Sequence, residues 1–142
     1  MSPAKTPRTA LVTGGTSGIG EAIAIALHDA GHRVVATCFD GVEDPATWRD
    51  AQAALGRDFR VEPVDVADYD SCQAMAARLQ ADGIGIDILV NDAGITRDAT
   101  FRKMDKAKWD AVLRTNLDSM FNVTRPFADG MTARGWGRIV NI

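Results

Sequence analysis

A glycine-rich turn near the N-terminus constrains the fold of this chain more than any other feature. The apolar run Thr9–Val12 is followed by Thr13-Gly14-Gly15-Thr16-Ser17-Gly18-Ile19-Gly20, and apolar residues then recur at helical spacing as far as Ala30. Glycine lets the backbone turn sharply and lets a ligand approach closely, and the first turn of a helix presents N–H groups without backbone acceptors. We therefore predict a strand, a tight turn and a helix whose N-terminus can bind a pyrophosphate. Taken alone, the pattern also fits a tight turn that binds no ligand.

The rest of the chain alternates apolar runs with helical patterns. Further strands are predicted over Arg33–Cys38, Phe59–Val66, Ile86–Val90 and Arg138–Ile142, and helices after Asp44, from about Asp70 to Ala81 and from Asp105 to the Gly135-Trp136-Gly137 break. Parallel strands joined by right-handed helical crossovers form a doubly wound sheet, which binds ligands at the carboxyl ends of its strands. We predict the α/β class, with an incomplete Rossmann-type parallel sheet in one domain over residues 1–142. This sheet has five strands, and the chain ends within the fifth.

The helical patterns also predict which faces are buried. In the second helix Trp48, Ala51 and Leu55 share one face, and in the third the apolar face is formed by Cys72, Met75, Ala76 and Leu79. The long helix from Asp105 carries an apolar stripe that Asn116 interrupts. A second set of apolar residues on that helix, Leu117, Phe121 and Val123, suggests a surface for a homo-oligomer.

Composition excludes several classes of function. The formal net charge of -3 argues against nucleic acid or an anionic membrane as the main partner. Cys38 and Cys72 form no CxxC pair and have no histidine cluster, so we expect two reduced thiols and no metal site. The polar start, Met1 to Thr9, does not have the apolar core of a signal peptide, and no stretch is long enough to span a bilayer. These features predict a cytoplasmic protein.

Four motifs in the expected order resemble the short-chain dehydrogenase/reductase family. The glycine turn has the form T-G-x-x-x-G-I-G, and Asp65-Val66 follows the third strand as that family's Asp-Val does. Asn91-Asp92-Ala93-Gly94 is similar to the family's Asn-Asn-Ala-Gly, and Thr115-Asn116-Leu117 is similar to the segment that holds its catalytic-tetrad asparagine. Asp92 departs from the family pattern, because an ionised carboxylate accepts hydrogen bonds and cannot donate them. Any contact that needs an amide NH₂ at this position is therefore in question.

The resemblance implies a nicotinamide dinucleotide cofactor, NAD or NADP. Its binding residues would be Gly14, Thr16, Ser17, Gly18, Ile19, Gly20, Asp40, Asp65, Val66, Asn91, Ala93 and Gly94. Of the catalytic tetrad the resemblance assigns only Asn116, whose backbone carbonyl would hold a water that links the catalytic lysine to solvent. Independently of the family, a purely structural asparagine with satisfied hydrogen bonds also fits this position.

The family's catalytic serine and its Tyr-x-x-x-Lys motif are not found in these 142 residues. The single tyrosine, Tyr69, is followed four positions later by Gln73. We therefore expect the chain alone to have no reductase activity. It is interpreted either as the cofactor-binding part of an enzyme or as a catalytically silent dinucleotide-binding or interaction fragment.

Three carboxylates after the second strand bear on the choice of cofactor. An acid at this point accepts the ribose 2′-OH of NAD, whereas an arginine binds the 2′-phosphate of NADP. Asp40, Glu43 and Asp44 follow the strand, Cys38 occupies the position where many family members have the acid, and Arg49 is the only nearby cation. The local charge favours NAD and the family relatives favour NADP. The carboxylates also fit ordinary loop and capping positions.

Later segments bear on the substrate. Gly94 to Asp98, Phe101 to Met104 and Arg134 to Ile142 resemble the acetoacetyl-CoA reductases of polyhydroxybutyrate synthesis, and the first is shared with 3-oxoacyl-(acyl-carrier-protein) reductases. The resemblance implies reduction of a 3-ketoacyl thioester, with Asp98 near the substrate, by an enzyme that forms tetramers. Arg97 and Asp98 fit a solvated loop pair almost equally well.

Overall fold

Five strands alternate with helices along residues 6–142, the part of the chain that the computed structural model describes. The first five residues of the polar N-terminal segment lie outside it. Two short turns interrupt the regular pattern, a 3₁₀ turn over Phe101–Lys103 and a π-turn over Arg114–Asp118. The other elements are β1 (Thr9–Val12), α1 (Gly18–Asp29), β2 (Arg33–Phe39), α2 (Pro45–Ala54), β3 (Arg60–Val64), α3 (Tyr69–Ala81), β4 (Ile88–Asn91), α4 (Lys106–Leu113), α5 (Ser119–Arg134) and β5 (Arg138–Asn141).

The strands form one parallel sheet in the order β3-β2-β1-β4-β5. Leu11 of the central strand β1 is paired with Val35 of β2 on one side and with Leu89 of β4 on the other. The chain thus runs outward from β1 to β3, crosses back, and continues outward on the other side from β4. The predicted doubly wound sheet is confirmed, and its strand order reverses between β1 and β4, at the carboxyl end of β1.

Apolar side chains cover both faces of this sheet. Successive residues of a strand point to opposite faces, so Leu11 belongs to one core cluster and its neighbours Ala10 and Val12 belong to the other. The first cluster includes the buried faces of α3 and α5, and the second includes Ala24 of α1. The sheet is therefore a rigid base for the loops at its carboxyl edge.

Two predicted faces need correction. Leu55 is not on the buried face of α2, because the helix ends at Ala54 and Leu55 is the exposed C-cap residue. Ala51 is exposed as well, and Gln52 is the buried residue of this helix. Val123 is not on a free surface of the long helix, since it is fully buried in the core with Phe127 and Met131. Leu117 and Phe121 are exposed, as expected for a surface residue pair.

The long helix predicted from Asp105 is present, with a π-turn inside it. Asp105 caps α4 as expected, its carboxylate accepting from the Lys108 N–H at 2.8 Å. The π-turn Arg114–Asp118 changes the hydrogen-bond pattern between α4 and α5, while the backbone stays helical on both sides of it. Such turns insert an extra residue and are often found at functional sites. Asn116 lies in the middle of this one.

Both cysteines are free and buried, as predicted. Over residues 6–142 no helix is long and apolar enough to cross a membrane, and no cluster of His, Cys, Asp and Glu side chains is arranged to hold a metal ion.

Candidate functional site

A cleft of about 270 Å³ opens at the carboxyl edge of the sheet, where the strand order reverses. The loops that follow β1, β2, β3 and β4 all contribute to its wall. The lining residues are Gly14, Thr16, Ser17, Thr37, Cys38, Phe39, Glu43, Val64, Val66, Ala93, Gly94, Ile95 and Thr115. The structure therefore brings the glycine turn, Val66 and the Ala93-Gly94 segment to one cavity. Of the other predicted cofactor residues, Gly18, Ile19, Gly20, Asp40, Asp65 and Asn91 do not line it.

Two threonines that the sequence analysis did not select hold the glycine turn in place. The Thr13 hydroxyl accepts from the backbone N–H groups of Asp92 and Ala93, each at 3.0 Å, and so joins the loop after β1 to the loop after β4. The Thr37 hydroxyl accepts from the Gly14 N–H at 3.2 Å, and its carbonyl accepts from the Gly15 N–H at 3.1 Å. Both threonines are buried near the carboxyl ends of their strands. This location at the ends of β1 and β2 is the only feature of the sequence that could have indicated their role.

Gly20 has to be glycine because neighbouring atoms lie too close to its Cα to leave room for a side chain. A Cβ on Gly20 would lie 2.2 Å from the carbonyl oxygen of Gly14 and 2.8 Å from Oδ2 of Asp92. Real Cβ atoms do not come so near, so only glycine lets the first turn of α1 pack against the loop. Gly14 has φ of 63°, a left-handed conformation that glycine adopts without strain.

The N-terminus of α1 differs from the starts of α2, α3 and α4. Each of those helices begins after an aspartate whose side chain accepts from a backbone N–H, namely Asp44, Asp68 and Asp105. The N-cap of α1 is Ser17, which makes no such hydrogen bond. At Gly18, with φ of 56°, a Cβ would meet no atom within 4 Å. The N-cap side chain thus leaves the start of α1 uncapped beside an open space, and only the Gly20 N–H in this first turn faces a carboxylate, that of Asp92. An uncapped helix start of this kind can bind phosphate groups.

Asp65 and Asn91 do not line the cleft, but their side chains form hydrogen bonds that hold neighbouring segments in place. Oδ1 of Asp65 accepts from the Ala67 N–H at 3.0 Å and so fixes the turn that presents Val66. The buried Asn91 amide donates to Oδ1 of Asn141 at 2.8 Å, which joins β4 to β5 at the same edge. Its own Oδ1 is buried and makes no hydrogen bond within the described residues. Asp65 thus fixes the backbone of a loop at the cleft, and Asn91 fixes the neighbouring strand through the Asn141 side chain.

Asp92, the departure from the family motif, lies beside Gly20. Burial raises the pKa of the Asp92 carboxyl above its ordinary value, and the backbone N–H of Gly20, which faces the carboxylate, offsets part of that rise. The ionised form is therefore harder to accommodate here than in water.

Asn116 is only partly buried, and both ends of its amide are engaged. Oδ1 accepts from the Ile95 N–H at 2.8 Å, and Nδ2 donates to the Ile95 carbonyl at 2.9 Å. The specific partner expected for this polar residue is thus the backbone of the loop after β4. This pair anchors the π-turn to the residue that lines the cleft next to Gly94. The backbone of Asn116, and not its amide, is left for any further role.

The carboxylates after β2 are placed differently from one another. Asp44 caps α2, its oxygens accepting from the Ala46 N–H and the Thr47 hydroxyl at 3.1 Å each. Glu43 lines the cleft, and its Oε2 accepts from the Thr16 hydroxyl at 2.9 Å. Asp40, the acid that the sequence analysis selected, is exposed and lies outside the lining. The sequence could not distinguish them because the loop path from Phe39 to Asp44 decides which one faces the turn.

A second pocket of about 390 Å³ lies between the loop after β4 and the face of α4. Asp98 lies in its wall together with Asn116, and Ile95 is common to both cavities. The remaining lining residues are Thr96, Arg97, Met104, Lys108, Trp109, Val112 and Leu113. The wall is apolar at α4, and its charged groups are Arg97, Asp98 and Lys108, of which Lys108 also pairs with Asp105 at 3.3 Å.

Comparisons with known proteins agree with this arrangement. The model of the short chain dehydrogenase family matches residues 8–142. "Nodulation protein G" of Azospirillum brasilense is 53% identical over 135 residues, which cover 95% of this chain and 55% of that protein. An acetoacetyl-CoA reductase of Cupriavidus necator is 50% identical over 137 residues, covering 96% and 56% respectively.

The sheet and its loops are also shared with solved structures. A gluconate 5-dehydrogenase from Burkholderia cenocepacia J2315, in complex with NADP and tartrate, superposes with a TM-score of 0.86 at 37% identity over 94% of this chain and 52% of that one. The chain spans about half the length of the relatives it matches.

Proposed function

Because this chain belongs to the short-chain dehydrogenase family, we propose that it binds a nicotinamide dinucleotide within an enzyme that reduces the 3-keto group of a short acyl thioester, with acetoacetyl-CoA as the substrate. The observation that carries the proposal is the start of α1, whose N-cap residue Ser17 makes no capping hydrogen bond and lines the cleft. The names of several relatives, acetoacetyl-CoA reductases 47 to 50% identical to this chain, support the substrate.

The residues of the cleft suit each part of a dinucleotide. The glycine turn and the first N–H groups of α1 would bind the pyrophosphate, because the positive end of the helix dipole lies there. Val66 and Ala93 offer apolar surface to a flat base. The full proposed set is Gly14, Thr16, Ser17, Gly18, Ile19, Gly20, Asp65, Val66, Asn91, Ala93 and Gly94. A dinucleotide bound in this way supplies the hydride for reduction of a carbonyl group.

Asn116 and Ile95 would join the cofactor cleft to the substrate pocket. Ile95 lines both cavities, and its backbone is fixed by the two hydrogen bonds from the Asn116 amide. This pairing holds the wall between cofactor and substrate in one position. The proton donor of the reaction would come from residues outside this chain, since Tyr69 has Gln73 in place of the lysine that the family's motif requires.

The second pocket supports a thioester with an anionic carrier. Coenzyme A carries a pyrophosphate and a 3′-phosphate, which the positive charges of Arg97 and Lys108 would attract, while Trp109 and Val112 offer apolar surface to the acyl end. Asp98 would lie near the substrate. An acyl carrier protein is also acidic, so the same charges fit a carrier-protein substrate, and the experiment must separate the two.

Exposed apolar residues of the π-turn and of α5 support a homo-oligomer. Leu117 and Phe121 are 58% and 62% exposed and lie outside the substrate pocket. We propose that a second subunit covers them, which light scattering of the full-length protein would test.

Steady-state kinetics of the full-length protein test the substrate. We expect kcat/KM to be highest for acetoacetyl-CoA, lower for acetoacetyl carrier protein and negligible for a free ketone such as 5-ketogluconate. Lys108→Gln should raise KM for acetoacetyl-CoA about two- to fivefold, the range of a partly exposed ion contact. Lys106→Gln is the matched control, since Lys106 lies in the same turn of α4 and outside the pocket lining. A preference for the carrier protein or for the free ketone would refute the substrate and leave the family unchanged.

A further inference from the structure

We infer that Asp40 isomerises spontaneously to isoaspartate, by attack of the Gly41 nitrogen on its side chain, and that this modification damages the wall of the cleft. The chemistry of the modification needs only water and is independent of the proposed function. Its consequence for dinucleotide binding rests on the proposed function, because it assumes that a nicotinamide dinucleotide occupies the cleft.

An aspartate followed by glycine is open to this reaction, because glycine has no side chain to shield its backbone nitrogen. The sequence contains three such pairs, Asp40-Gly41, Asp82-Gly83 and Asp129-Gly130. The structure places them in three different settings, a turn after β2, the end of α3 and the interior of α5. The contacts of each pair therefore decide which one reacts.

The reaction proceeds through a five-membered succinimide ring. The Gly41 nitrogen forms a bond to Cγ of Asp40, and the amide hydrogen and the carboxyl hydroxyl leave as water. Water then opens the ring at one of its two carbonyl carbons. Breaking the new N–Cγ bond restores aspartate, whereas breaking the original peptide bond leaves the main chain running through Cβ and Cγ. Neither route needs an oxidant, a reductant or a cofactor.

The reacting groups of Asp40 and Gly41 are both free in the described part of the chain. Both residues are exposed, and the Asp40 carboxylate has neither a cation nor a hydrogen-bond donor as partner among residues 6–142. The Gly41 N–H donates no hydrogen bond within the same residues, although its neighbours Val42 and Glu43 both donate to the Phe39 carbonyl. A Cβ on Gly41 would meet no atom within 4 Å, so there is room for the ring.

At Asp82-Gly83 the same two groups are engaged. The Gly83 N–H donates to the Gln80 carbonyl at 3.0 Å, in the turn that ends α3. The Asp82 carboxylate pairs with the Arg60 guanidinium at 2.7 Å. Both contacts must break before the nitrogen can reach the carboxyl carbon, so the reactive arrangement is rarer here than at Asp40.

Asp129-Gly130 is held more firmly still. The pair lies inside α5, where the Gly130 N–H belongs to the hydrogen-bond ladder of the helix. The Asp129 carboxylate pairs with Arg125, one turn earlier, at 3.1 Å. Reaction at this position needs local unfolding of the helix, which costs more than the opening of a turn. Of the three aspartates, Asp40 is therefore the one that can react in the folded protein.

Isomerisation would change the wall of the cleft. The turn after β2 is closed by the Phe39 carbonyl, which accepts from the Val42 N–H at 3.3 Å and from the Glu43 N–H at 3.2 Å. Isomerisation of Asp40 adds one carbon to the main chain inside this turn. Glu43 lines the cleft, and its Oε2 accepts from the Thr16 hydroxyl of the glycine turn at 2.9 Å. Loss of one or two of these hydrogen bonds should weaken dinucleotide binding about two- to tenfold.

Isotope labelling of the full-length protein tests the inference. The folded protein is kept for several weeks at neutral pH in water enriched in the heavy oxygen isotope, so that each opening of a succinimide adds one heavy oxygen. After digestion in ordinary water, mass spectrometry measures the label in the three peptides. We expect the peptide with Asp40 to be labelled about tenfold faster than the peptide with Asp82, which must first lose a hydrogen bond and an ion pair. The peptide with Asp129 should be labelled more slowly still.

Two controls separate the effect of the fold from that of the sequence. In denaturant the three peptides should be labelled at similar rates, because all three pairs are then unstructured. Asp40→Glu keeps the charge but would need a six-membered ring, which closes far more slowly, so its peptide should stay unlabelled at this position. Because Asp40 is exposed, the variant should retain the fold, which circular dichroism verifies.

Fluorescence titration with NADPH measures the consequence for the cleft. Aged wild-type protein should contain a fraction that binds NADPH about two- to tenfold more weakly than fresh protein does. This fraction should equal the isoaspartate content found with isoaspartyl methyltransferase, which methylates isoaspartate and not aspartate. Aged Asp40→Glu should bind NADPH as tightly as its own fresh protein.

The outcomes distinguish the inference from the proposed function. Equal labelling of the three peptides in the folded protein, or faster labelling at Asp82 or Asp129, overturns the inference. An isomerised protein that binds NADPH as tightly as fresh protein overturns it as well. Failure of fresh protein to bind either NADPH or NADH refutes the proposed function and leaves the labelling result unaffected.

Discussion

Substitution of Gly20 by alanine is the sharpest test of how the glycine turn is built. On helix propensity alone, replacing glycine by alanine in a helix stabilises the fold by about 1 kcal/mol. At Gly20, however, the new Cβ would lie 2.2 Å from the Gly14 carbonyl oxygen and 2.8 Å from Oδ2 of Asp92. The first of these atoms is backbone, held in a turn by Thr37 and unable to move without breaking that contact.

The expected magnitude follows from the two opposing effects. Inserting a carbon into a packed site usually costs about 1–3 kcal/mol, and this contact is closer than any normal packing distance. The closeness of the contact points to the upper part of that range, about 2–3 kcal/mol, and the gain of about 1 kcal/mol in helix propensity is subtracted from it. We therefore expect Gly20→Ala to lower the free energy of unfolding by about 1–2 kcal/mol, which for a domain of this size corresponds to a fall in Tm of roughly 3–8 °C. Dinucleotide affinity should fall as well, since the turn must open to admit the methyl group.

Gly130 offers a matched control in α5. Its added Cβ would have its nearest contact at 3.0 Å, with the terminal Nη1 of Arg134. The Arg134 guanidinium is held by the Ile86 carbonyl and Asp87, but a side-chain end can shift by a few tenths of an ångström without losing these contacts, which a backbone carbonyl cannot. Gly130→Ala should therefore leave stability unchanged or raise it by up to about 1 kcal/mol. Urea denaturation of the two variants of the full-length protein measures the difference. A Gly20→Ala protein as stable as Gly130→Ala would refute the reasoning from close approach.

Three further outcomes are expected. Asp92→Asn should stabilise the protein near pH 7. The folded state raises the pKa of the Asp92 carboxyl, so its ionisation destabilises the fold as pH rises, and the gain seen in thermal unfolding should vanish as pH falls below about 4. Asn116→Leu removes both hydrogen bonds to Ile95 and should lower the free energy of unfolding by about 1–3 kcal/mol, measured by urea denaturation. Burial, followed by the charges of Asp65 and Asp68, raises the pKa of Cys72 to about 12, so iodoacetamide at about pH 8 should leave this thiol unlabelled, as judged by mass spectrometry, until the protein is unfolded.

The order of elements was accessible from the sequence because it depends on local patterns. Buried parallel strands such as Ile88–Asn91 are continuous apolar runs, and an aspartate before a helical pattern marks a helix start, as at Asp105. The loop positions of the glycine turn were accessible for the same reason, since glycine spacing is a local property.

What the sequence missed depends on contacts between distant segments. The π-turn around Asn116 is fixed by its pairing with Ile95, 21 residues earlier, which no helical period reveals. Val123 lies four residues before Phe127 in α5 and therefore shares its buried face, a spacing that its assignment to an outward face overlooked. Glu43, and not Asp40, faces the glycine turn because the loop path brings it to Thr16, 27 residues earlier in the chain. Such contacts appear only once the sheet has placed the loops.

The strand order also determines when the sheet can be completed during synthesis. The edge of β1 that faces β2 can pair early in synthesis, because Gly14 bonds to Thr37, only 23 residues later in the chain. Its other edge can pair only after β4 has been made, because the Thr9 N–H donates to Asp87, 78 residues later. At a translation rate of about 5–20 residues per second, this edge stays open for roughly 4–15 s on the ribosome. Protease protection of ribosome-stalled chains of increasing length should thus show β1 protected only after Asn91 has emerged, and protection of chains stalled before β4 would contradict this. A central strand with one edge unpaired for that time is an aggregation hazard, so the nascent chain is the form of this protein in greatest need of a chaperone.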